Sequence, residues 1–545
     1  MIPKPPFSAD LSADDEIAAF EKLKPRLATL WNALSARAEE PYTSVVVPSM
    51  TLDSTELAKI EAASFYEERL LFLLIRLRNP QAHMVYVTSQ PIHPVILEYY
   101  FQLLAGIPAS HARSRLTLLC ANDASPRPLT EKILERPRLI QRIRYGISDS
   151  SRAYMTVISA TPLERRLAVL LGIPLNGVDP RLQALGTKSG SRRAFREAGV
   201  PLPEGREDLR SRDDAIKALE ELKGANPTLR RAVIKLNEGF SGSANAVFQY
   251  PENPGAAAIR NSLAGLSFSE PEETPECYFD RLPEMGGIVE EMIEGAEIAS
   301  PSAQLRVDPY GEVEILSTHD QILGGPTGQT YLGCRFPAAD TYRDAIQQAA
   351  RSIGAVLAGK GVVSRLGIDF LARRREGVED WELFALEINL RIGGTTHPFL
   401  ALQFLTGGRL DPATGLFRSP RGLPKYYRST DNLKSPAYRG LCPEDLIDIT
   451  TANHLHYDHG SETGVLFHMI GALSQYGKLG LTAIGNSHAE ADAAYGRALE
   501  ILDVETRAGR ASREAPADLE ARKTAGPRSP RPSQHEPVRP HTTNH

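Results

Sequence analysis

Between residues 44 and 173 strand-length and helix-length apolar runs alternate, and this alternation restricts the fold more than any other feature of the chain. SVVVPSM (44–50), AHMVYVTSQ (82–90), SRLTLLCAND (114–123) and AYMTVISA (153–160) have the length and β-branched content of strands. IEAASFYEERLLFLLIRLRN (60–79) has the spacing of an amphipathic helix, and PVILEYYFQLLAGI (94–107) and TPLERRLAVLLGI (161–173) read as further helices. Parallel strands need long crossovers, which helices supply, so the alternation predicts a parallel sheet. No GxGxxG loop follows the first strand, so the usual dinucleotide fold is not predicted.

From about Leu182 the pattern changes. A helix over GTKSGSRRAFREAG (186–199) leads into VPLPEG and a series of strands. These are RRAVIKL (230–236), ANAVFQY (244–250), GGIVEEMI (286–293), EIASPSAQLRVDP (297–309), GEVEILSTHDQI (311–322), LGIDFLARR (366–374) and WELFALEINLR (381–391). One clear helix, DAIQQAARSIGAVLAGKG (344–361), interrupts them, so this region reads as α+β with mostly antiparallel pairing. A loop-rich stretch over 407–438 follows. Then come two strand candidates around a turn in TGVLFHMIGALSQYGKLGLTAIGNS, and a closing helix, HAEADAAYGRALEILDVE. From Thr506 onward the chain is rich in Arg, Pro, Ala, Ser and His, a composition that predicts disorder. The expected fold class is therefore α/β and α+β multidomain, divided at 1–181, 182–406, 407–505 and a tail over 506–545, with no internal repeats.

The 545 residues are 42% hydrophobic and 24% charged with a formal net charge of -5, which gives no reason to expect a nucleic-acid or membrane partner. Apolar runs such as RLLFLLIRL are short and broken by arginine, and the first twenty residues lack the apolar core of a signal peptide. The expected compartment is the cytoplasm. Cys120, Cys277, Cys334 and Cys442 have no paired spacing and are expected to be reduced and mostly buried. His454, His456, His459 and His468 lie close together, but their spacing is not that of a zinc module, so a loop-and-strand role is expected for them.

Chemistry concentrates in ALEINLRIGGTTHP (385–398), where Glu387, Asn389 and Arg391 alternate with Leu386, Ile388 and Leu390. On a strand that spacing puts the three polar side chains on one face. Asp369, in GIDFL, lies on the preceding strand, and antiparallel pairing would bring it beside Glu387 and the amide oxygen of Asn389. Such oxygen ligands suit Mg²⁺, and Arg391 on the same face suits a phosphate. IKLNEGFSGSANAVF places Lys235 at a strand end before a loop with Gly239, Ser241 and Gly242, a weak phosphate signal by itself and not a P-loop.

These parts, in this order, resemble the ATP-grasp superfamily of carboxylate–amine ligases over about residues 186–402. The resemblance implies an ATP-grasp fold preceded by a parallel-sheet pre-ATP-grasp domain, with a hinge near 289–297. It assigns Lys188 and Lys235 to the nucleotide phosphates, with Gly239, Ser241 and Gly242 in the loop that covers them. In VEEMIEGAE, Glu290 would face the adenine amino group. Glu291, Met292 and Ile293 would present backbone and an apolar face to the base, and Glu297 would hold the ribose. Asp369, Glu387 and Asn389 would hold Mg²⁺, or Mn²⁺ in its place, and Arg391 would stabilise the transferring phosphoryl group. The closing TGVLFHMIGALSQYGKLGLTAIG segment is similar to the C-terminal domain of pheganomycin-type peptide ligases. The implied reaction joins an amino-acid-like carboxylate to an amine or peptide through an acyl phosphate, releasing ADP and phosphate. Two rival readings are a kinase on the same fold, which stops at a phosphoester, and a non-catalytic nucleotide-binding protein. His319, Asp320 and Arg335, from a long loop expected after Thr318, and His397 are candidate substrate contacts. A homodimer is a common arrangement in such ligases.

Overall fold

The computed structural model describes residues 11–35, 40–52, 57–239, 244–270 and 272–524. Its N-terminal third is built on a five-stranded parallel sheet. The strands are β1 (Tyr42–Val47), β2 (Ala82–Thr88), β3 (Leu116–Cys120), β4 (Ala153–Val157) and β5 (Leu175–Asn176), in the order β3-β2-β1-β4-β5. β1 is buried along its whole length, as a central parallel strand covered on both faces must be. The helix Pro162–Leu171 starts at a capping box, with Thr161 and Glu164 each satisfying the other's end of the first turn.

The segment expected as an amphipathic helix before β2 is wound differently. Ala63–Arg78 forms sixteen residues of 3-10 turns, long for that geometry. It is buried from Tyr66 to Ile75 on every side, rather than along one stripe. Packing on all sides therefore carries Glu67, Glu68 and Arg69 into the interior.

A second sheet is antiparallel and contains β6 (Gly205–Leu209), β7 (Arg231–Leu236), β8 (Asn245–Gln249), β9 (Ser267–Phe268) and β10 (Gly287–Glu291), ordered β6-β10-β7-β8-β9. The third sheet is the largest. It begins with β11 (Glu297–Ala299), β12 (Pro301–Val307), β13 (Val313–Gly324), β14 (Thr330–Phe336), β15 (Ser364–Arg374) and β16 (Trp381–Asn389). The helix Asp340–Gly359 covers it with Ile346, Ala350, Ile353 and Leu357 buried. After a two-stranded ribbon, β17 (Arg409–Leu410) with β18 (Phe417–Arg418), the sheet continues through β19 (Tyr426–Lys434), β20 (Gly464–His468) and β21 (Lys478–Gly485).

β19 corrects the expectation of a loop-rich stretch. It pairs with β14 on one side and β21 on the other, joining the last hundred residues to the central sheet. Besides Tyr427, its buried positions Ser429, Thr430 and Asp431 are polar, so no hydropathy alternation betrays the strand. β13 and β14 likewise form an extended hairpin where a long loop was expected after Thr318. The closing helix runs from His488 to Thr524, so structureless chain does not begin at Thr506. Thr506 itself is buried and its hydroxyl donates to the Leu502 carbonyl. The Ala, Arg and Glu content beyond it is favourable to helix. Residues 525–545 lie outside the described residues. Cys334 is buried, but Cys277 and Cys442 are exposed, against the expectation of mostly buried thiols. Among the described residues no helix is long and apolar enough to cross a membrane.

Candidate functional site

A cavity of 690 Å³ lies between the second and third sheets and reaches the 3-10 helix of the N-terminal third. Its phosphate-like end is built from three elements. The helix Lys188–Glu197 is capped by Thr187, whose hydroxyl accepts from the Gly190 amide at 3.0 Å. Gly190 has to be glycine, because a Cβ there would sit 1.9 Å from the Ala184 carbonyl oxygen. Asn237, just past β7, accepts from the Ser189 amide at 2.9 Å and ties the helix start to the strand carrying Lys235. Lys188 and Lys235 thus face the same space from different elements. Each now rests on a carboxylate, Lys188 on Glu387 and Lys235 on Glu290.

β15 and β16 pair antiparallel with Asp369 opposite Glu387 and Gly367 opposite Asn389, and a bulge follows at Asp369/Phe370. Asp369 accepts from Gln321 Nε2 at 2.6 Å and from Asn389 Nδ2 at 2.8 Å. The Asn389 nitrogen is thereby used on Asp369, and its oxygen is left as the acceptor of the pair. Burial, reinforced by the neighbouring Glu387, pushes the Asp369 carboxyl up to about 7, although Arg391 works against the shift. Burial would raise Glu387 too, but Lys188 outweighs it and holds that group below the usual carboxylate range. Two carboxylates and an amide oxygen on adjacent strands form a hard donor set. The residues present therefore fit a divalent cation.

The other expected residues are placed as follows. Gly239, Glu290, Glu291, Met292, Ile293 and Arg391 line the cavity. The Glu290 carboxylate is taken up by two cations, Lys235 and Arg192, the latter at 3.2 Å. Ser241 and Gly242 lie outside the described residues. Glu297 lies on β11 and is ion-paired with Arg374, outside the lining.

The four substrate candidates lie outside the cavity lining. His319 is fully buried, its Nε2 lies 2.6 Å from the Tyr427 hydroxyl, and its ring packs on Phe336. Asp320 accepts from the Ala339 amide and the Tyr342 hydroxyl, which fixes the start of the helix Asp340–Gly359. Arg335 pairs with Asp492 at 3.0 Å on the surface. His397 is buried against His468, Nε2 to Nε2 at 2.9 Å, and does not line the cavity. In the segment after Thr318, Gln321 and Leu323 reach the cavity instead.

Sequence reading missed another charged stretch of the cavity wall, where Arg69 and Asp431 meet at 3.1 Å. It also missed Arg192, which a run of helical arginines disguises as solvated. His397, Asp431 and His468 bring three ligand-type atoms within 4.8 Å of one another. The second Asp431 oxygen faces Arg69, so a cation supplied by the protein already balances that carboxylate. Burial would raise Asp431, but Arg69 and then the two histidines hold it well below the usual carboxylate range.

Comparisons with known proteins agree with this architecture. Residues 180–252 and 266–413 match the family described as IQCH-like, ATP-grasp, and residues 445–498 match the PGM1 C-terminal domain. The chain is 32% identical over 468 residues to an L-propargylglycine–L-glutamate ligase of Streptantibioticus cattleyicolor, covering 84% of this chain and 94% of that protein. It is 23% identical over 455 residues to the IQ motif-containing protein H of Danio rerio, covering 74% of this chain and 42% of that protein. Among solved structures, an ADP complex of N5-carboxyaminoimidazole ribonucleotide synthetase superposes with a TM-score of 0.50 at 12% identity, covering 85% of this chain and 97% of that one. A Campylobacter jejuni biotin carboxylase in complex with an ATP analogue gives 0.50 at 12%, covering 85% and 91%. The paired lysines, the hard donor set across β15 and β16 and a near full-length relative lead to one family: the chain is an ATP-grasp protein of the ADP-forming carboxylate–amine ligases.

Proposed function

We propose that this ligase joins the carboxylate of one small amino-acid-like substrate to the amine of another, through an acyl phosphate. The observation that carries the reading is the single cavity that holds Lys188, Lys235, Asp369, Glu387, Asn389 and Arg391 together. The relative from Streptantibioticus cattleyicolor bears the name of a ligase acting on two amino acids, which supports substrates of that class.

In this reading Lys188 and Lys235 exchange their present carboxylate partners for the nucleotide phosphates. Glu387, released from Lys188, joins Asp369 and Asn389 as a holder of Mg²⁺, or of Mn²⁺ in its place. The bound metal would neutralise phosphate charge during transfer. Met292 and Ile293 receive the base. Glu290, now paired with Lys235 and Arg192, turns one oxygen to the adenine amino group. Arg391 stabilises the phosphoryl group while the donor carboxylate attacks it, which is charge stabilisation in a partly dry site. An amine then displaces phosphate at the acyl carbon, so no covalent protein nucleophile is needed. We carry forward the division at 181, 406 and 505 as the domain plan, and a homodimer as the assembly.

The test is ADP release with Mg²⁺ and ATP against amino acids and short peptides, offered singly and in pairs, with products weighed by mass spectrometry. The expected product mass is the sum of two panel members less one water. A product that instead gains a phosphate would make the protein a kinase.

A further inference from the structure

The cavity has a second charged end whose chemistry the phosphoryl transfer does not use. Arg69 comes from the 3-10 helix Ala63–Arg78 and Asp431 from β19, two segments 362 positions apart that meet only in the folded chain. Both line the cavity, and they are 4% and 5% exposed. Arg69 Nη2 lies 3.1 Å from Asp431 Oδ2, yet Arg69 Nε and Nη2 have no hydrogen-bond partner. Natural proteins seldom leave a buried polar group in that state unexplained. The guanidinium also lies 5.4 Å from the centre of the Tyr66 ring, which holds it from one side.

Asp431 is held more firmly still. His468 Nε2 lies 2.7 Å from Asp431 Oδ1, and His397 Nε2 lies 3.4 Å from the same oxygen. The His468 ring lies directly against Gly480, where any Cβ would come within 2.6 Å of three ring atoms. Beside Asp431, Asn432 donates to the Tyr331 carbonyl at 3.0 Å and closes this wall of the cavity. The result is a preorganised pair of opposite charges, one with unfilled donors, in the wall of a ligand cavity.

An α-amino acid carries a carboxylate beside its amine, and a buried guanidinium with unfilled donors is suited to take that carboxylate. Of the two substrates, the donor surrenders its carboxylate to phosphorylation at the Lys188–Asp369 end. A carboxylate held at Arg69 survives the reaction, and every acceptor amino acid brings one. We infer that the Arg69–Asp431 pair is the acceptor subsite and takes a free α-amino acid, its α-carboxylate on Arg69, which Asp431 holds in place, and its amine left free to attack the acyl carbon. His397, His468 and Gly480 are positioning residues that fix Asp431. The inference rests on the ligase reading above and adds the class of acceptor.

The experiment uses the full chain with ATP, Mg²⁺ and pairs of the twenty L-amino acids, and hydroxylamine as an alternative nucleophile. Hydroxylamine traps the activated donor as a hydroxamate and has no carboxylate to be recognised. Arg69→Lys and Asp431→Asn are each expected to raise KM for the acceptor by about tenfold or more, and to leave hydroxamate formation within about twofold of wild type. In wild type, the decarboxylated form of the acceptor is expected to react about tenfold or more less efficiently than the amino acid, a comparison that needs no variant. In Arg69→Lys that preference shrinks. Equal losses of hydroxamate and amide formation, in variants that still bind an ATP analogue, would overturn the assignment. So would hydroxamate formation in wild type with peptides, and no free amino acid, accepted; the ligase reading would then stand without this subsite. If no donor yields either hydroxamate or amide, the ligase reading itself fails and the inference fails with it.

Discussion

The two ends of the cavity handle charge in opposite ways. At the Lys188–Asp369 end two carboxylates face each other across β15 and β16, and the protein leaves one of them pushed up to about 7. At the Arg69–Asp431 end a single carboxylate is surrounded by a guanidinium and two imidazoles and is held far below its ordinary range. In the proposed function the first end is completed from outside, by a metal and phosphates. The second is nearly complete by itself and leaves only directional donors to be filled. Unresolved charge marks a place for exchangeable ions, whereas unresolved hydrogen bonds mark a place for recognition.

The comparison is broken most severely by removing a carboxylate from the first end. Glu387→Ala is expected to lower kcat for amide formation by about 10²–10³-fold, the cost of one electrostatic stabiliser in a closed site, read as initial ADP and amide rates. The Arg69→Lys and Asp431→Asn changes above act more weakly and on acceptor KM, so the two ends separate as a kcat effect against a KM effect.

A third prediction concerns pH. Asp369 has a folded value raised above its ordinary one, so its contribution to stability is complete at acid pH and is lost as pH rises toward 7. Glu67 and Glu68, both buried and also pushed up to about 7, have the same sign. A divalent metal needs a deprotonated ligand, so Mg²⁺ is expected to shift the urea midpoint more at about pH 7.5 than at about pH 5. Glu67 and Glu68 do not face the metal, so the difference with and without Mg²⁺ isolates the Asp369 end. An equal shift at both pH values would contradict the assignment of Asp369.

The smallest expected effect is steric. Gly480→Ala drives a methyl group into the His468 ring and is expected to cost about 1–3 kcal/mol, seen as a lower urea midpoint with unchanged slope. Binding of an ATP analogue at the other end is expected to persist.

The ends also differ in how far the sequence discloses them. Glu387, Asn389 and Arg391 sit at alternate positions of an otherwise apolar strand, so period-two patterning puts them on one face without tertiary information. Asp369 needs only the antiparallel pairing of neighbouring strands. Lys188 and Lys235 are spelled by a helix start and a strand end. By contrast, Arg69 interrupts an apolar run and looks like the polar edge of an amphipathic helix, while the chain buries that segment from every side. Asp431 lies on a strand whose buried residues, besides Tyr427, are polar, which erases the pattern that would reveal it. His319, Asp320 and Arg335 do not line the cavity because their segment is a strand hairpin inside a large sheet, where side chains are used for packing and capping. The parallel sheet and most strands of the central sheet were legible from periodicity. The continuation of that sheet through β19 was not, because it depends on pairing across about a hundred residues.

The central claim is that ATP hydrolysis and amide formation are coupled in this one cavity. The most direct measurement is ADP release by wild type and Glu387→Ala, with ATP, Mg²⁺ and amino acids offered singly and in pairs, each reaction mixture being weighed by mass spectrometry. The account predicts ADP in step with a product equal to two amino acids less water, and loss of both signals in Glu387→Ala. ADP release accompanied by a phosphorylated product, or amide formation that survives Glu387→Ala unchanged, would contradict it.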